Sequence, residues 1–150
     1  MKTTVTILAI CCAVLVGVGP VVAHHAFQSE FDSTQPLLLK GEFTGMDWVN
    51  PHSWVHFEVT FPDGTTEGWS GETGPINQLM RGGWARDTLH VGDIIQVNGA
   101  AAKNGSPRMW ASQVRILERD GAVLAEPIRV LDMFGGNPDG IPEGLLPIDD

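Results

Sequence analysis

Between residues 37 and 117, apolar and polar side chains alternate with the period of two that a half-buried β-strand requires. Leu37, Leu39 and Phe43 interleave with Lys40, Glu42 and Thr44, and the parity then flips to Met46 and Trp48. A shift of one residue carries a strand's apolar set to its other face, so the flip predicts a β-bulge, with Gly45 as the residue that admits it. Val55, Phe57, Val59 and Phe61 set a second strand over 53–61, and Pro62-Asp63-Gly64-Thr65 is a tight turn into a third over 66–71, centred on Trp69. Pro75 opens a short helix over 75–80, Thr73 is placed to cap it, and Gly82-Gly83 stop it. The turn Leu89-His90-Val91-Gly92-Asp93 leads into a fourth strand over 94–100. Lys103-Asn104-Gly105-Ser106 is a hairpin turn, followed by a fifth strand over 109–117.

The order β-β-β-α-β-β, with a long bulged first strand, predicts an all-β fold: a small five-stranded OB-like barrel with one short helix between strands three and four. Another small five-stranded barrel is the competing architecture. A barrel of this size has no room for a deep internal cavity. A site therefore belongs at a rim, in a loop, or where the N-terminal arm lies against the barrel.

The two ends of the chain have a different character. Lys2, an apolar run over 5–18, the break at Gly19-Pro20, and Val21 and Ala23 at positions −3 and −1 read as a secretory signal peptide over 1–23. The run is too short to span a bilayer, and no other segment offers a span. Cleavage after Ala23 places the mature chain in the periplasm or outside the cell. Residues 24–36 then form a polar N-terminal arm, 37–117 the barrel, and 118–150 a Gly/Pro/acid-rich C-terminal tail. Within that tail, residues 122–133 alternate weakly and suit a docked strand or a helical turn.

Removing 23 of the 150 residues leaves 127, enough for one small domain. Losing Lys2 leaves eight basic against 18 acidic side chains, a formal charge of −10, which argues against a nucleic-acid partner. Both cysteines, Cys11 and Cys12, fall within the signal segment. A mature chain without cysteine has no disulfide, thiolate nucleophile or cysteine-rich metal site. No GxGxxG or P-loop is present, and Ser53, Ser70, Ser106 and Ser112 lack a nucleophile elbow, so no residue is marked as catalytic.

The chemistry that remains is imidazole. Cleavage after Ala23 makes His24 the first residue, and an N-terminal histidine offers a metal its α-amine and its ring Nδ1 together. One further imidazole completes a T-shaped three-nitrogen set, the histidine brace, which suits Cu(II). His52, in Trp48-Val-Asn-Pro-His-Ser-Trp54 at the turn into strand two and stiffened by Pro51, is the preferred third ligand. His25 is the competing one, through its ring and backbone nitrogen. A structural account stands beside both: histidine at +1 arises by chance, and His52 hydrogen-bonds within a turn. His56 lies four residues beyond His52, about 13 Å along a strand, so the two do not share an ion. His90 lies in an exposed turn. Glu72 near the helix start is the carboxylate to watch, with a favourable place on the helix dipole as its plainer role. For Arg81 beside Gly82-Gly83-Trp84, the plainer role is a salt bridge or a stack on the indole.

The run His24-His-Ala-Phe27, Glu30-Phe-Asp32, Leu39-Lys-Gly41, Trp48-Val-Asn-Pro-His-Ser-Trp54, the Gly74-Pro75 turn with Asn77 and Leu79, and Arg81-Gly-Gly-Trp84 resembles a family of small exported bacterial proteins of unknown function. That family carries a histidine pair after its signal peptide, a W-I/V-N-P-H-S/T block and a G-P-x-N-x-L-x-R-x-G-W block. The similarity covers about residues 24–116, and this chain departs from it at Thr73, where a second glycine is usual. The resemblance implies a secreted protein with a small β-barrel and points to His24, His25, His52, Glu72 and Arg81, but implies no activity.

Two functional expectations follow. One is an exported metal-binding module for copper, built from His24 or His25 and His52, for metal handling rather than turnover. The other is a non-metal OB-type binding or protein-interaction module of the cell envelope, with Trp48, Trp54 and Trp84 as an exposed aromatic surface or the acidic tail as contact.

Overall fold

The structure, a computed structural model, describes residues 29–132. Its elements in chain order are β1 (Phe31–Asp47), β2 (Trp54–Thr60), β3 (Thr66–Glu72), helix α1 (Ile76–Arg81), β4 (Ile94–Ala102), β5 (Arg108–Arg119) and β6 (Ala122–Asp132). The sheet runs β3-β2-β1-β4-β5-β6. A parallel seam then joins β3 to β5, with Ser70 opposite Arg108, Gly71 opposite Met109 and Glu72 opposite Trp110. The seam closes β1 to β5 into a barrel, the five-stranded all-β architecture expected from the alternation, with α1 between β3 and β4.

The 17-residue β1 serves two neighbours: residues 31–42 pair with β4 and residues 42–47 with β2. Phe43 faces Phe57 and Gly45 faces His56, so Thr44 is the unpaired residue of the bulge, one position before the glycine. The bulge turns Phe43 inward on one side of it and lets Met46 and Trp48 pack on the core on the other.

The core gathers Phe43, Val55, Phe57, Val59, Ile95, Val97, Met109, Val114 and Ile116 from the strands. Helix α1 adds Leu79 and the loop after it adds Trp84, both sealed from solvent. Thr73 does not cap the helix as expected. Its hydroxyl is buried and donates to the Ser53 carbonyl at 3.0 Å, while the Ile76 amide at the helix start donates to Asn50 Oδ1 at 3.2 Å. The cap thus comes from the turn before β2, not from the adjoining chain.

Two element ends lie beyond the sequence expectation. β1 begins at Phe31, inside the polar arm, because Phe31 is buried against Ala100, Ala102 and Trp110. Its alternation is hidden by an irregularity between Phe31 and Pro36, where Asp32 accepts from the Thr34 amide and hydroxyl and from Gln35. At the other end β5 runs to Arg119, and Asp120 and Gly121, both at positive φ, turn it into β6, so residues 122–132 form a strand rather than a helical turn.

The extension of β5 has an electrostatic reason. Arg119 grips the buried Asp93 in a two-pronged pair at 2.9 and 2.6 Å and also donates to the Thr88 carbonyl. Burial pushes the Asp93 carboxyl up, but the Arg119 guanidinium and the His90 amide outweigh it and hold the group below its ordinary 3.8. A carboxylate whose folded value lies below its unfolded one stabilises the fold fully above about pH 3.8 and loses that contribution as pH falls through the folded value. Urea midpoints at neutral pH and below pH 3.8 are therefore expected to differ less in Asp93→Asn than in the wild type. The exposed Asp32 and Asp63, also lowered by hydrogen bonds to Thr34 and Thr65, titrate alike in both proteins. An unchanged acid slope in Asp93→Asn would assign the loss to other groups.

Candidate functional site

Three segments distant in sequence meet at one end of the barrel: the turn before β2, the last residue of β3 and the first residue of β5. The turn Trp48-Val-Asn-Pro-His-Ser-Trp54 contains a cis Asn50-Pro51 bond and is tied on both sides. Ser53 Oγ donates to the Val49 carbonyl at 3.1 Å, the Ser53 amide donates to the Gly74 carbonyl at 3.2 Å, and the Thr73 amide donates to the Ser53 carbonyl at 2.8 Å. With the Asn50 cap on α1, these bonds stitch the NPHS block to the Gly-Glu-Thr-Gly-Pro block. His52 is therefore held on a rigid corner.

Glu72 ends β3 directly beside that corner and is only 6% exposed. It lies outside the first turn of α1, which begins four residues later and carries no acid there, so the helix-dipole role expected for Glu72 does not apply. Its partner is His52, whose Nδ1–H donates to Glu72 Oε1. An ionised carboxylate only accepts, so the proton of neutral His52 sits on Nδ1 and the lone pair on Nε2. The imidazole is 40% exposed and its edge meets the Trp110 ring at a centroid distance of 5.9 Å.

Arg108 completes the cluster. Its Nη2 lies 2.7 Å from Glu30 Oε1 and 3.7 Å from Glu72 Oε2, and its guanidinium carbon sits 4.6 Å over the Trp54 ring. Glu30 is one residue before β1, so the polar chain Glu30–Arg108–Glu72–His52 runs from the arm to the NPHS corner.

The other expected residues fall elsewhere. His24 and His25 lie outside the described residues. Trp54 adjoins the site, beneath Arg108. Arg81 is exposed at the end of α1 and forms no ion pair or ring contact with a described residue; the arginines that stack are Arg108 on Trp54 and Arg86 on Trp48. His56 contacts Ser70 Oγ through Nδ1 at 3.0 Å and Asp47 Oδ2 through Nε2 at 3.1 Å, so neither ring nitrogen is left for another ligand. His90 is exposed in its turn, as expected. The aromatic surface of Trp48, Trp54 and Trp84 is not formed: Trp84 is 3% exposed in the core with Trp48 against its edge, and arginines cover Trp48 and Trp54.

Arg108, Glu30 and Trp110 join the site without any chemical motif or period in the sequence that marks them. Arg108 sits one residue before the expected start of strand five. Only the closed barrel brings it to the site, because the parallel seam sets the first residues of β5 beside the last of β3 and the buried Glu72. Among the described residues no group of three or more His, Cys, Asp or Glu is arranged to hold a metal ion. Nor, among them, is any helix long and apolar enough to cross a membrane.

Two solved structures are similar in part. A ZRD-deleted mutant of TiaS in complex with agmatine is 16% identical, with a TM-score of 0.44 over 68% of this chain and 30% of that one. Apo TiaS, an agmatidine synthetase, is 18% identical, with a TM-score of 0.38 over 58% of this chain and 19% of that one. This chain thus spans less than a third of the length of either. No curated protein matches it. The model of a family of unknown function, DUF6152, matches residues 12–110, which include the corner, the end of β3 and the first residues of β5, and the chain belongs to that family.

Proposed function

We propose that this protein is exported and, once residues 1–23 are removed, binds copper through His52 and the newly exposed His24. The observation that supports this reading is the His52–Glu72 pair. A histidine ligand works best when a carboxylate or carbonyl holds its other nitrogen, fixing the tautomer and raising its basicity. Glu72 does that to His52 from a buried position, leaving Nε2 as the donor on a rigid corner at the barrel end. The remaining donors come from the arm: the α-amine and Nδ1 of His24, with His25 as the competing ring. Neutral nitrogen donors suit Cu(II), which also binds most tightly among the divalent first-row metals.

The arm is long enough for this. Glu30 and His52 are separated by one guanidinium and one carboxyl group. His24 is six residues before Glu30, a span of up to about 20 Å when extended. Such a site carries copper without marking a substrate surface, which fits metal handling in the periplasm.

Mass spectrometry of the exported chain is expected to show His24 as its first residue, and titration with Cu(II) to give one tight equivalent with a nitrogen-rich electron paramagnetic resonance spectrum. His24→Ala and His52→Ala are each expected to weaken that site. A mature chain starting elsewhere, or copper affinity unchanged in the double variant, would remove the proposal.

A further inference from the structure

We infer that Arg108 is a positioning residue, a latch that docks the N-terminal arm beside His52; its purpose at a metal rests on the function proposed above. Two observations carry the inference. The first is that one guanidinium nitrogen, Nη2, lies between two carboxylates, Glu30 on the arm at 2.7 Å and Glu72 on β3 at 3.7 Å. Glu72 in turn holds the His52 ring. The second is that Arg108 is itself well fixed. Its backbone pairs with Ser70 in the barrel seam, the Ser70 amide donates to the neighbouring Pro107 carbonyl at 3.1 Å, and its guanidinium plane rests on Trp54.

Arginine suits this task better than lysine. Its Nη2 lies near both carboxylates while its guanidinium sits over an indole, whereas an ammonium is a compact point charge on a flexible stem. The arm end is also held by its backbone and by apolar packing. The Lys103 amide donates to the Glu30 carbonyl at 2.9 Å, and the buried Phe31 lies 6.2 Å from the Trp110 ring that touches His52. Phe31 therefore anchors the start of β1, and Arg108 sets where the chain before it departs. The Arg108–Glu30 pair is partly exposed and therefore weakens with salt.

The test uses the processed full chain, first without metal. Hydrogen exchange at the Lys103 amide reports docking directly, because its acceptor is Glu30. Arg108→Gln is expected to speed that exchange about fivefold, the fold-change for losing a partly exposed ion pair of about 1 kcal/mol, and Arg108→Lys to restore less than half of the protection. The same titrations with Cu(II) are expected to show affinity lower by about fivefold in Arg108→Gln. Should Arg108→Gln fail to fold, Glu30→Gln removes the arm side of the pair alone and is expected to give the same exchange and copper results. Lys103 protection unchanged in the folded variants would overturn the latch. Protection lost in the variants, with no copper bound by the wild type, would overturn the metal function and leave the docking role in place. Wild-type copper binding with unchanged affinity in both variants would overturn the latch's purpose at the metal.

Discussion

Gly99→Ala is expected to lower the melting temperature by roughly 20 °C, or to leave the chain unfolded, for a loss of about 4 kcal/mol. A β-carbon at Gly99 would sit 1.6 Å from the Trp110 carbonyl oxygen and 2.8 Å from its carbon, both backbone atoms that no rotamer change removes. β4 shifts register against β5 between Asn98 and Gly99, and the two backbones approach closely there. To admit a methyl group they must part, and the strand that moves is the one whose Trp110 lies opposite Glu72 across the seam. The clash thus falls on barrel closure itself. Gly45→Ala is the matched control: nothing lies within 4 Å of its β-carbon and its φ is ordinary, so a change of at most a few tenths of a kcal/mol is expected. Thermal unfolding of the two variants followed by circular dichroism checks the contrast. Equal melting temperatures would mean that the strands part there without cost.

Glu72→Gln is expected to lower copper affinity about ten- to hundredfold while leaving the fold intact. The amide keeps the size of the carboxyl and an oxygen that accepts from His52 Nδ1–H, so the corner stays in place. What it loses is the negative charge that makes the imidazole a better donor at Nε2. Arg108 keeps Glu30 as its partner and is not stranded. Competition titration against a chelator of known affinity measures the effect, with the melting temperature as control. An affinity within twofold of wild type would mean that Glu72 is only a structural acid and that His52 acts, if at all, without its support.

The barrel was written in the alternation of residues 37–117, because a strand with one buried face has little choice of pattern. The bulge showed as a parity flip at Gly45, and the helix as Pro75 with Gly82-Gly83 after it. The strand ends were hidden for physical reasons. Phe31 is a lone apolar residue before a kink built by Asp32, so no period surrounds it. Arg119 read as the start of an acidic tail because its partner Asp93 is 26 residues away. Asp120-Gly121 between Leu117 and Val123 is a hairpin signal of the strongest short kind, obscured by the Gly- and Pro-rich tail beyond it.

The site was half visible. His52 stood out through its stiff turn, and Glu72 through being an acid beside a helix start, yet their pairing needs the β2–β3 hairpin to set Trp54 opposite Glu72. Arg108 carries no local signal, since a basic residue after a turn is ordinary. Only the closure of the sheet gives it a role. Asn50 was read as turn chemistry, whereas its side chain also serves the first amide of α1, 26 residues on.

The parallel seam has a kinetic consequence. His52 and Glu72 come together as soon as two neighbouring strands form a hairpin, a fast and local event. Arg108 reaches them only when residues from opposite ends of the sheet register, and such long-range pairing comes slowly in small β proteins. The polar cluster is thus assembled in two stages, and its last member arrives with the finished barrel. Under the proposed copper function, Cu(II) mixed with a refolding chain would gain its last roughly fivefold of affinity at the rate of the final folding phase.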